Sequence, residues 1–177
     1  MLPEYSLETE RTFLRKLTIE DAVHFYGLNS DPDVIKFTGD KPFASIDEAA
    51  FFLSHYDQYQ KYGVGRLAVI EKRTNKFIGW CGLKYNPEEE EYDLGFRFYR
   101  ACWNKGFATE TGKRCMEAGF KNLKLKTIVG RAMKENKASI KVLLKLNMKF
   151  KEPFFKEGEE GSVYQITNYD FDKTYTK

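Results

Sequence analysis

The spacing of apolar residues along the chain separates helical segments from strands. Apolar positions recur at helical spacing near residues 19–28 and 46–62, where we expect two helices. Each segment follows a Ser or Thr with an acidic residue three positions later, which is the pattern of a capping box. The two pairs are Thr18 with Asp21 and Ser45 with Glu48.

From Gly65 onward the apolar period shortens to two residues, which is typical of strands. Three such segments, separated by short polar turns, predict an antiparallel meander over residues 66–72, 77–85 and 92–99. A stretch rich in turn-forming residues, 29–42, lies between the two helices. We expect this stretch to wrap over a site.

The rest of the chain alternates between the two kinds of element. The patterns predict helices near 107–121 and 137–146, and strands near 10–16, 126–133, 148–156 and 162–171. The resulting order is β-α-α-β-β-β-α-β-α-β-β. It predicts an α+β fold with a mixed, mostly antiparallel sheet flanked by helices, formed as a single domain over residues 1–177.

Composition removes several functional classes. The net charge is +3 and acidic and basic residues are interspersed, so nothing indicates a nucleic-acid or membrane partner. Two histidines and three well-separated cysteines do not form the usual zinc-ligand patterns, and we expect no metal site. The motifs Gly-x-Ser-x-Gly and Gly-x4-Gly-Lys-Ser/Thr are missing, which leaves esterase and P-loop functions without their usual anchors.

The cysteines also bear on the cellular compartment. Cys81, Cys102 and Cys115 are odd in number and form no Cys-x-x-Cys pair. The chain does not begin like a signal peptide, and no apolar run approaches membrane-spanning length. We therefore expect a reduced, cytoplasmic protein.

The segment C-W-N-K-G-F-A-T-E-T-G, residues 102–112, joins a predicted strand to a predicted helix. Gly106 allows a tight approach of the backbone, and the first turn of a helix offers amide groups and a favourable dipole to an anion. Lys105 adds a positive charge. Considered alone, the pattern is more often an ordinary turn than an anion-binding corner.

A second segment, E-N-K-A-S-I-K-V-L-L-K-L-N-M-K-F, residues 135–150, opens the next predicted helix. Asn136 suits the N-cap of that helix. Ser139 lies on its apolar face, where a hydroxyl usually bonds back to the helix. Alternatively, Ser139 presents a proton donor to a cleft. Asn147 suits the left-handed position that ends the helix.

Together these two segments resemble the GNAT acetyltransferase superfamily, in particular the branch that contains the ribosomal-protein N-terminal acetyltransferases. The first resembles the acyl-CoA pyrophosphate loop, Gln/Arg-x-x-Gly-x-Gly/Ala, and the second resembles N-x-x-S-x-x-V-L-E-K-L-G-F. Three other segments also resemble that branch, namely L-R-K-L-T-I-E-D-A, S-D-P-D-V-I-K-F and D-L-G-F-R-F. The resemblance therefore covers about residues 8–170. The chain departs from the family pattern at three positions. Trp103 stands where the family pattern has Gln or Arg, and Asn104 and Asn147 stand where it frequently has Gly.

The resemblance implies acetyl-CoA as co-substrate, held in a cleft between two strands that splay apart. The pantetheine arm would pair with the end of the third meander strand like an added strand, and Asn136 would hold the pantetheine region. The diphosphate would bind the backbone amides of the loop. The residues implied in cofactor binding are Phe96, Arg97, Phe98, Trp103, Asn104, Lys105, Gly106, Phe107, Ala108, Thr109 and Asn136.

The resemblance also implies direct attack of an amine on the thioester within a ternary complex. Asp93 is the predicted general base and Glu91 the fallback, although a solvated or salt-bridged Asp93 is the alternative. Ser139 matches the position of the proton donor to the departing thiolate. A backbone amide near Phe98 would stabilise the developing oxyanion.

The acceptor amine is the least defined partner. A protein N-terminus follows from the branch resemblance. A small-molecule amine, such as a polyamine, an amino sugar or an amino-acid-like amine, is the first alternative. A non-catalytic acyl-CoA sensor is the second. Homodimers are common among such enzymes, and the aromatic residues, 16% of the chain, would suit either a dimer surface or a filled core.

Overall fold

A computed structural model describes residues 7–175 and contains one eight-stranded sheet. The strands are β1 (Leu7–Glu8), β2 (Thr12–Lys16), β3 (Arg66–Glu71), β4 (Lys76–Asn86), β5 (Glu91–Phe98), β6 (Thr127–Met133), β7 (Lys149–Lys156) and β8 (Glu159–Thr167). They are arranged in the order β1-β2-β3-β4-β5-β6-β8-β7. Every neighbouring pair is antiparallel except β5 with β6, which is parallel.

Helices cover both faces of this sheet. They are α1 (Ala22–Ser30), α2 (Pro32–Ile35), α3 (Ile46–Ser54), α4 (Gln58–Tyr62), α5 (Phe107–Lys121), α6 (Lys137–Lys145) and α7 (Asn168–Tyr175). Within residues 7–175, none of them combines the length and the apolar character needed to cross a membrane.

The alternation of side chains along the strands divides the core into two layers. In β3, Leu67 and Val69 belong to the larger cluster with Cys115 and Met116 of α5, whereas Ala68 faces the smaller cluster with α1 and α3. Burial on both faces explains why the central residues of β3, 67–70, are all uncharged and its two charged residues lie at its ends. The predicted α+β fold and the antiparallel meander of β3, β4 and β5 are confirmed.

The structure corrects the helix predicted over 46–62. It ends at Ser54, and α4 begins only at Gln58. The hydroxyl of Tyr56 accepts a hydrogen bond from the backbone N–H of Arg66 (2.8 Å), and the hydroxyl of Tyr59 accepts one from Leu17 N–H (2.9 Å). These tertiary bonds, to the start of β3 and to the residue after β2, favour a break in the helix that helical spacing alone does not reveal.

The termini of the described chain also differ from the prediction. The strand predicted over 10–16 is β2, which begins at Thr12 and pairs with β1, a strand that was not predicted. The strand predicted over 162–171 is β8, which ends at Thr167, where α7 follows. Thr167 caps α7, since its Oγ1 accepts from the backbone N–H of Asp170 at 3.1 Å. The run T-N-Y-D carried this capping signal, and the apolar alternation before it concealed the change of period.

Candidate active site

The strands β5 and β6 separate beyond Asp93, and we call this separation the fork. It opens into the main cleft, which lies on the sheet face that packs against α1 and α3. The two parallel strands pair at one position, Asp93 opposite Val129, although β5 pairs with β4 along its whole length. From Leu94 to Phe98, the edge of β5 toward β6 therefore has no strand partner among residues 7–175. The predicted splayed pair is confirmed, and its edge is available to an extended ligand.

The cleft at this fork has a volume of about 330 Å³. Five predicted site residues line it, namely Asp93, Phe96, Arg97, Asn136 and Ser139. Phe37 and Thr38 of the stretch 29–42 also line it, as that stretch was expected to do. Lys156 at the end of β7 holds this cover, because its Nζ donates to the carbonyl oxygen of Thr38 at 3.0 Å.

The loop before α5 presents a row of unused backbone amides. None of the N–H groups of residues 104–109 donates to another backbone group within residues 7–175. Gly106 has φ +83° and Asn104 has φ +59°, so the loop contains two left-handed positions. Asn tolerates this conformation better than other non-glycine residues, which explains how Asn104 replaces a frequent Gly. An anion would find several convergent donors here.

Arg11 supports this loop, and the sequence analysis missed it. Its guanidinium donates to the carbonyl oxygen of Lys105 (2.9 Å) and to Glu110 (2.7 Å), and it lies over the ring of Phe107 at 4.4 Å. Arg11 and Glu110 are far apart in the sequence, so no local pattern predicts the contact. Lys105 itself is exposed, in keeping with a charge that an anion could meet.

Trp103 joins the loop to the end of β5. Its indole N–H donates to the carbonyl oxygen of Phe98 at 2.8 Å, while part of its ring stays exposed. The indole N–H is therefore engaged with the strand. Trp103 thus fixes where the loop leaves the sheet, and its predicted contribution to cofactor binding stays a prediction.

Asn136 and Ser139 meet at the first turn of α6. The side-chain oxygen of Asn136 accepts a hydrogen bond from the backbone N–H of Ser139 at 3.0 Å, which is the expected N-cap. The hydroxyl of Ser139 has no hydrogen-bond partner in the described part of the chain, and it lines the cleft. Leu143, one turn later on the same face, is buried, so α6 is anchored while Ser139 faces the fork.

Asp93 is held by an arginine that the sequence analysis did not single out. Arg66 Nη2 lies 2.6 Å from Asp93 Oδ2, and both side chains are largely buried. A Cβ atom at Gly95 would lie 2.5 Å from Arg66 Nη2, so glycine is needed for the guanidinium to cross β5. The salt-bridged alternative considered for Asp93 is therefore present. Its role as general base stays a prediction.

Glu91, the fallback base, lies one alternation before Asp93 on the same face. Lys151 (2.6 Å) and Arg131 (2.5 Å) both contact its carboxylate. Burial works against the charge of Glu91, but the hydrogen bonds from these two cations outweigh it and hold the pKa of Glu91 below its ordinary value. Glu91 is therefore ionised at neutral pH.

Arg97 anchors the cover of the cleft. Its guanidinium donates to Asn29 of α1 and to Asp40, both at 2.5 Å, and lies 5.3 Å from the ring of Trp80. The Arg97 side chain is therefore occupied by protein groups. Only its backbone remains for the strand-like pairing that the resemblance implies.

The comparison with known proteins identifies the family. A model described as an acetyltransferase (GNAT) domain matches residues 11–149. The chain belongs to the GNAT acetyltransferase family. It is 32% identical over 168 residues, 94% of each chain, to a Bacillus licheniformis protein described as the uncharacterized N-acetyltransferase p20.

Solved structures of GNAT proteins share this fold. The ribosomal-protein-S5-alanine acetyltransferase from Vibrio fischeri has a TM-score of 0.80 at 18% identity, covering 95% of this chain and 99% of that one. A chimera of the spermidine N-acetyltransferase SpeG from Vibrio cholerae and hSSAT has a TM-score of 0.75 at 19% identity, covering 92% and 98%. Identities this low establish the fold and leave the acceptor undetermined.

Acetyl-CoA use is a general property of the GNAT family, and the features of this chain fit that cofactor. The unused amides of residues 104–109 suit a diphosphate, and the unpaired edge of β5 suits an extended arm. A second, mostly apolar cavity of about 220 Å³ lies between α5 and β3–β4, and none of the predicted site residues lines it. Within residues 7–175 no cluster of His, Cys, Asp and Glu could hold a metal ion.

Proposed function

We propose that this GNAT acetyltransferase is an acetyl-CoA-dependent N-acetyltransferase that modifies a protein N-terminus, as in the branch of the ribosomal-protein N-terminal acetyltransferases. The observation that carries the proposal is the fork at Asp93 and Val129, with Ser139 facing it and the amide-rich loop at the far end of β5. In this proposal one cofactor spans the site from the loop to the fork.

The cofactor would lie along β5. Its diphosphate would bind the amides from Asn104 to Thr109, with Trp103 and Lys105 beside it, and Gly106 would allow the close approach. The pantetheine arm would pair with the backbone of Phe96, Arg97 and Phe98, near the side chain of Asn136. The thioester would then lie at the fork, where β5 and β6 separate.

The chemical step at the fork would be a direct transfer. The neutral amine attacks the thioester carbonyl, the carbon–sulfur bond breaks, and the acetyl group becomes an amide. Asp93, directly or through water, would accept the amine proton, with Glu91 as the alternative. Ser139 would donate a proton to the departing thiolate, since its hydroxyl has no competing partner within residues 7–175.

The charge of the residues that line the cleft bears on which class of acceptor binds there. An acidic, closed pocket would favour a cationic small molecule such as a polyamine. Within the described part of the chain, Asp93 is the one acidic residue that lines this cleft, and it is paired with Arg66. The exposed acidic turn 88–90 does not line the cleft. The proposal therefore favours a peptide N-terminus over a polyamine.

A thiol-release assay with acetyl-CoA and a panel of amines tests the proposal. The panel contains peptides with free N-termini, the same peptides with blocked N-termini, spermidine and an amino sugar. We expect thiol release with free peptides and none with the blocked controls. Turnover confined to spermidine or the amino sugar would refute the peptide assignment, and tight CoA binding without turnover would make the protein a sensor.

The general base is tested by the pH dependence of kcat/KM in Asp93→Asn and Glu91→Gln. The variant that lacks the base should lose the acidic limb of the profile, whereas the other should keep it.

Two further parts of the proposal are a cytoplasmic location and a homodimer. Cell fractionation tests the location, and light scattering tests the oligomeric state.

A further inference from the structure

The acceptor end of the cleft is dominated by positive charge. Among residues 7–175, five of the six charged side chains that line the cleft are cationic, namely Arg66, Lys84, Arg97, Arg131 and Lys156. Asp93 neutralises Arg66, and Asp40 neutralises Arg97. Lys84 makes no ion pair within residues 7–175, and Lys156 bonds to a backbone carbonyl rather than to an acid. These charges leave the cleft with a net positive potential.

Among the described residues of this group, Arg131 is the one with a buried side-chain N–H group that lacks a hydrogen-bond acceptor. It lies on β6 beside the fork, and its Nη2 donates to Glu91 at 2.5 Å. Its Nη1 is buried and has no hydrogen-bond partner among the residues that the structure describes, although Asp93 Oδ1 lies 3.7 Å away, at ion-pair distance. Glu91 is shared with Lys151, so it does not fully balance the charge of Arg131.

A buried N–H group without an acceptor is costly, and such groups are rare in folded proteins. Arg131 lines the cleft, and a small rotation of its side chain would let Nη1 meet an acceptor bound there. A guanidinium favours a carboxylate because a charge-assisted hydrogen bond is stronger than a neutral one. A polyamine would bring further positive charge to a site that is already cationic.

We infer that the acceptor carries a carboxylate close to its reactive amine, and that Arg131 binds this carboxylate through Nη1. The inference rests on the proposed acetyl transfer at the fork. It concerns the same site and specifies the acceptor further. The carboxylate is either an acidic side chain near a peptide N-terminus or the free carboxylate of an amino acid, and the experiment separates the two.

The experiment compares matched acceptors that differ only in a carboxylate. One arm uses short peptides with C-terminal amides whose second residue is Glu or Gln. The other arm uses a free amino acid and its amide. We expect the carboxylate member of one pair to have a kcat/KM about tenfold or more higher, mainly through KM.

Variants of Arg131 test whether this residue is responsible. Arg131→Gln should reduce the ratio of kcat/KM between the carboxylate acceptor and its matched partner to about one. Arg131→Lys should restore part of this preference because the positive charge returns. Arg73→Gln is the matched control, since Arg73 is exposed on the turn between β3 and β4, outside the cleft. Acetyl-CoA affinity, measured by calorimetry, should change little in Arg131→Gln. The melting temperature should fall because the ion pair with Glu91 is lost, and a single cooperative transition shows that the variant is folded.

Failure of the inference and failure of the proposed function are distinguishable. Acetylation of amines with no carboxylate preference, or a preference that survives in Arg131→Gln, would overturn the inference and leave the function intact. Calorimetry of the same acceptors with protein saturated with CoA gives a readout without turnover. Selective, Arg131-dependent binding without any turnover would support the carboxylate site and overturn the function, and neither binding nor turnover would overturn both.

Discussion

Ser139 and Asp93 differ in how far their side-chain oxygens are already occupied. Asp93 is bound by Arg66 at 2.6 Å, whereas the Ser139 hydroxyl has no partner within residues 7–175 and is turned toward the fork. A hydroxyl without a hydrogen-bond partner can rotate and donate to the negative charge that develops on a leaving group. A carboxylate in an ion pair is held in one place, which suits positioning as well as proton transfer.

Ser139→Ala should lower kcat by about tenfold or more without weakening acetyl-CoA binding. The N-cap is kept, because Asn136 accepts from the backbone N–H of residue 139 and not from its hydroxyl. Steady-state kinetics and calorimetry measure the two effects. Ser139→Thr retains the hydroxyl and is the control. Unchanged turnover in the alanine variant at saturating substrate would remove Ser139 from the mechanism.

Glu91 contributes a pH-dependent part of the stability. Its native pKa is held below the ordinary value of 4.5, so the native state retains the charge more strongly than the unfolded chain does. The stabilisation is complete above the unfolded pKa and is lost as the pH falls through the native pKa. We expect Glu91→Gln to destabilise the protein at pH 7 and to approach the wild type in acid.

Urea unfolding at pH 7 and at progressively lower pH measures this difference. Glu152→Gln is the control, since Glu152 contacts the same Lys151 but is mostly exposed. A difference between Glu91→Gln and wild type that stays constant down to acidic pH would contradict the linkage.

At the scale of elements, the loop and the first turn of α5 act as one unit. Gly106 is the N-cap and has no side chain to bond to the first amides of the helix, so these amides stay available. Arg11 holds the loop from outside through Lys105 and Glu110. The loop conformation is therefore set before any ligand binds.

Gly106→Val should abolish measurable acetyl-CoA binding in calorimetry. A β-branched residue at φ +83° is strained by about 1–2 kcal/mol or more, and its Cβ atom would lie 3.4 Å from Nη2 of Arg11, the residue that supports the loop. Gly158→Val is a matched control. Gly158 also has φ +83°, on the β7–β8 turn, and a Cβ atom there would meet nothing within 4 Å. Equal loss of binding in both variants, or unaltered binding in Gly106→Val, would refute the loop assignment.

At the scale of the whole molecule, the fork leaves two parts of the sheet joined by a single strand bridge. The helices behind the fork must hold these parts together. Leu146, at the end of α6, is fully buried, and its Cδ1 would lie 2.9 Å from a Cβ atom at Gly112 of α5. The same Gly112 position faces Leu94 of β5. The contact of α5 with α6 therefore spans both sides of the cleft.

Leu146→Ala should lower the free energy of unfolding by about 2–5 kcal/mol, because it removes buried contacts and leaves a cavity at this junction. Leu144→Ala, two positions earlier, should cost less than about 0.5 kcal/mol, since Leu144 is 54% exposed. Denaturant unfolding measures both. Similar small losses in the two variants would show that this junction does not hold the two parts together.

Local patterns predicted much of this molecule because they depend on neighbours in the chain. The period of apolar residues predicted the meander, and short motifs predicted the cap at Asn136 and the left-handed Asn147 (φ +63°). The same patterns failed over 46–62 and at the last strand. There, the structure was decided by hydrogen bonds that the hydroxyls of Tyr56 and Tyr59 accept from distant backbone N–H groups, and by a cap at Thr167.

The sequence by itself determined the family, the order of the longer strands and helices and the identity of the two motifs, because these reside in short stretches of chain. The tertiary structure alone decided which charges meet. Arg11 reaches the loop before α5, Arg66 binds Asp93, and Arg131 lies at the fork beside Glu91. The physical reason is that ion pairs form between side chains on different strands, and sheet register brings them together from positions that share no local pattern.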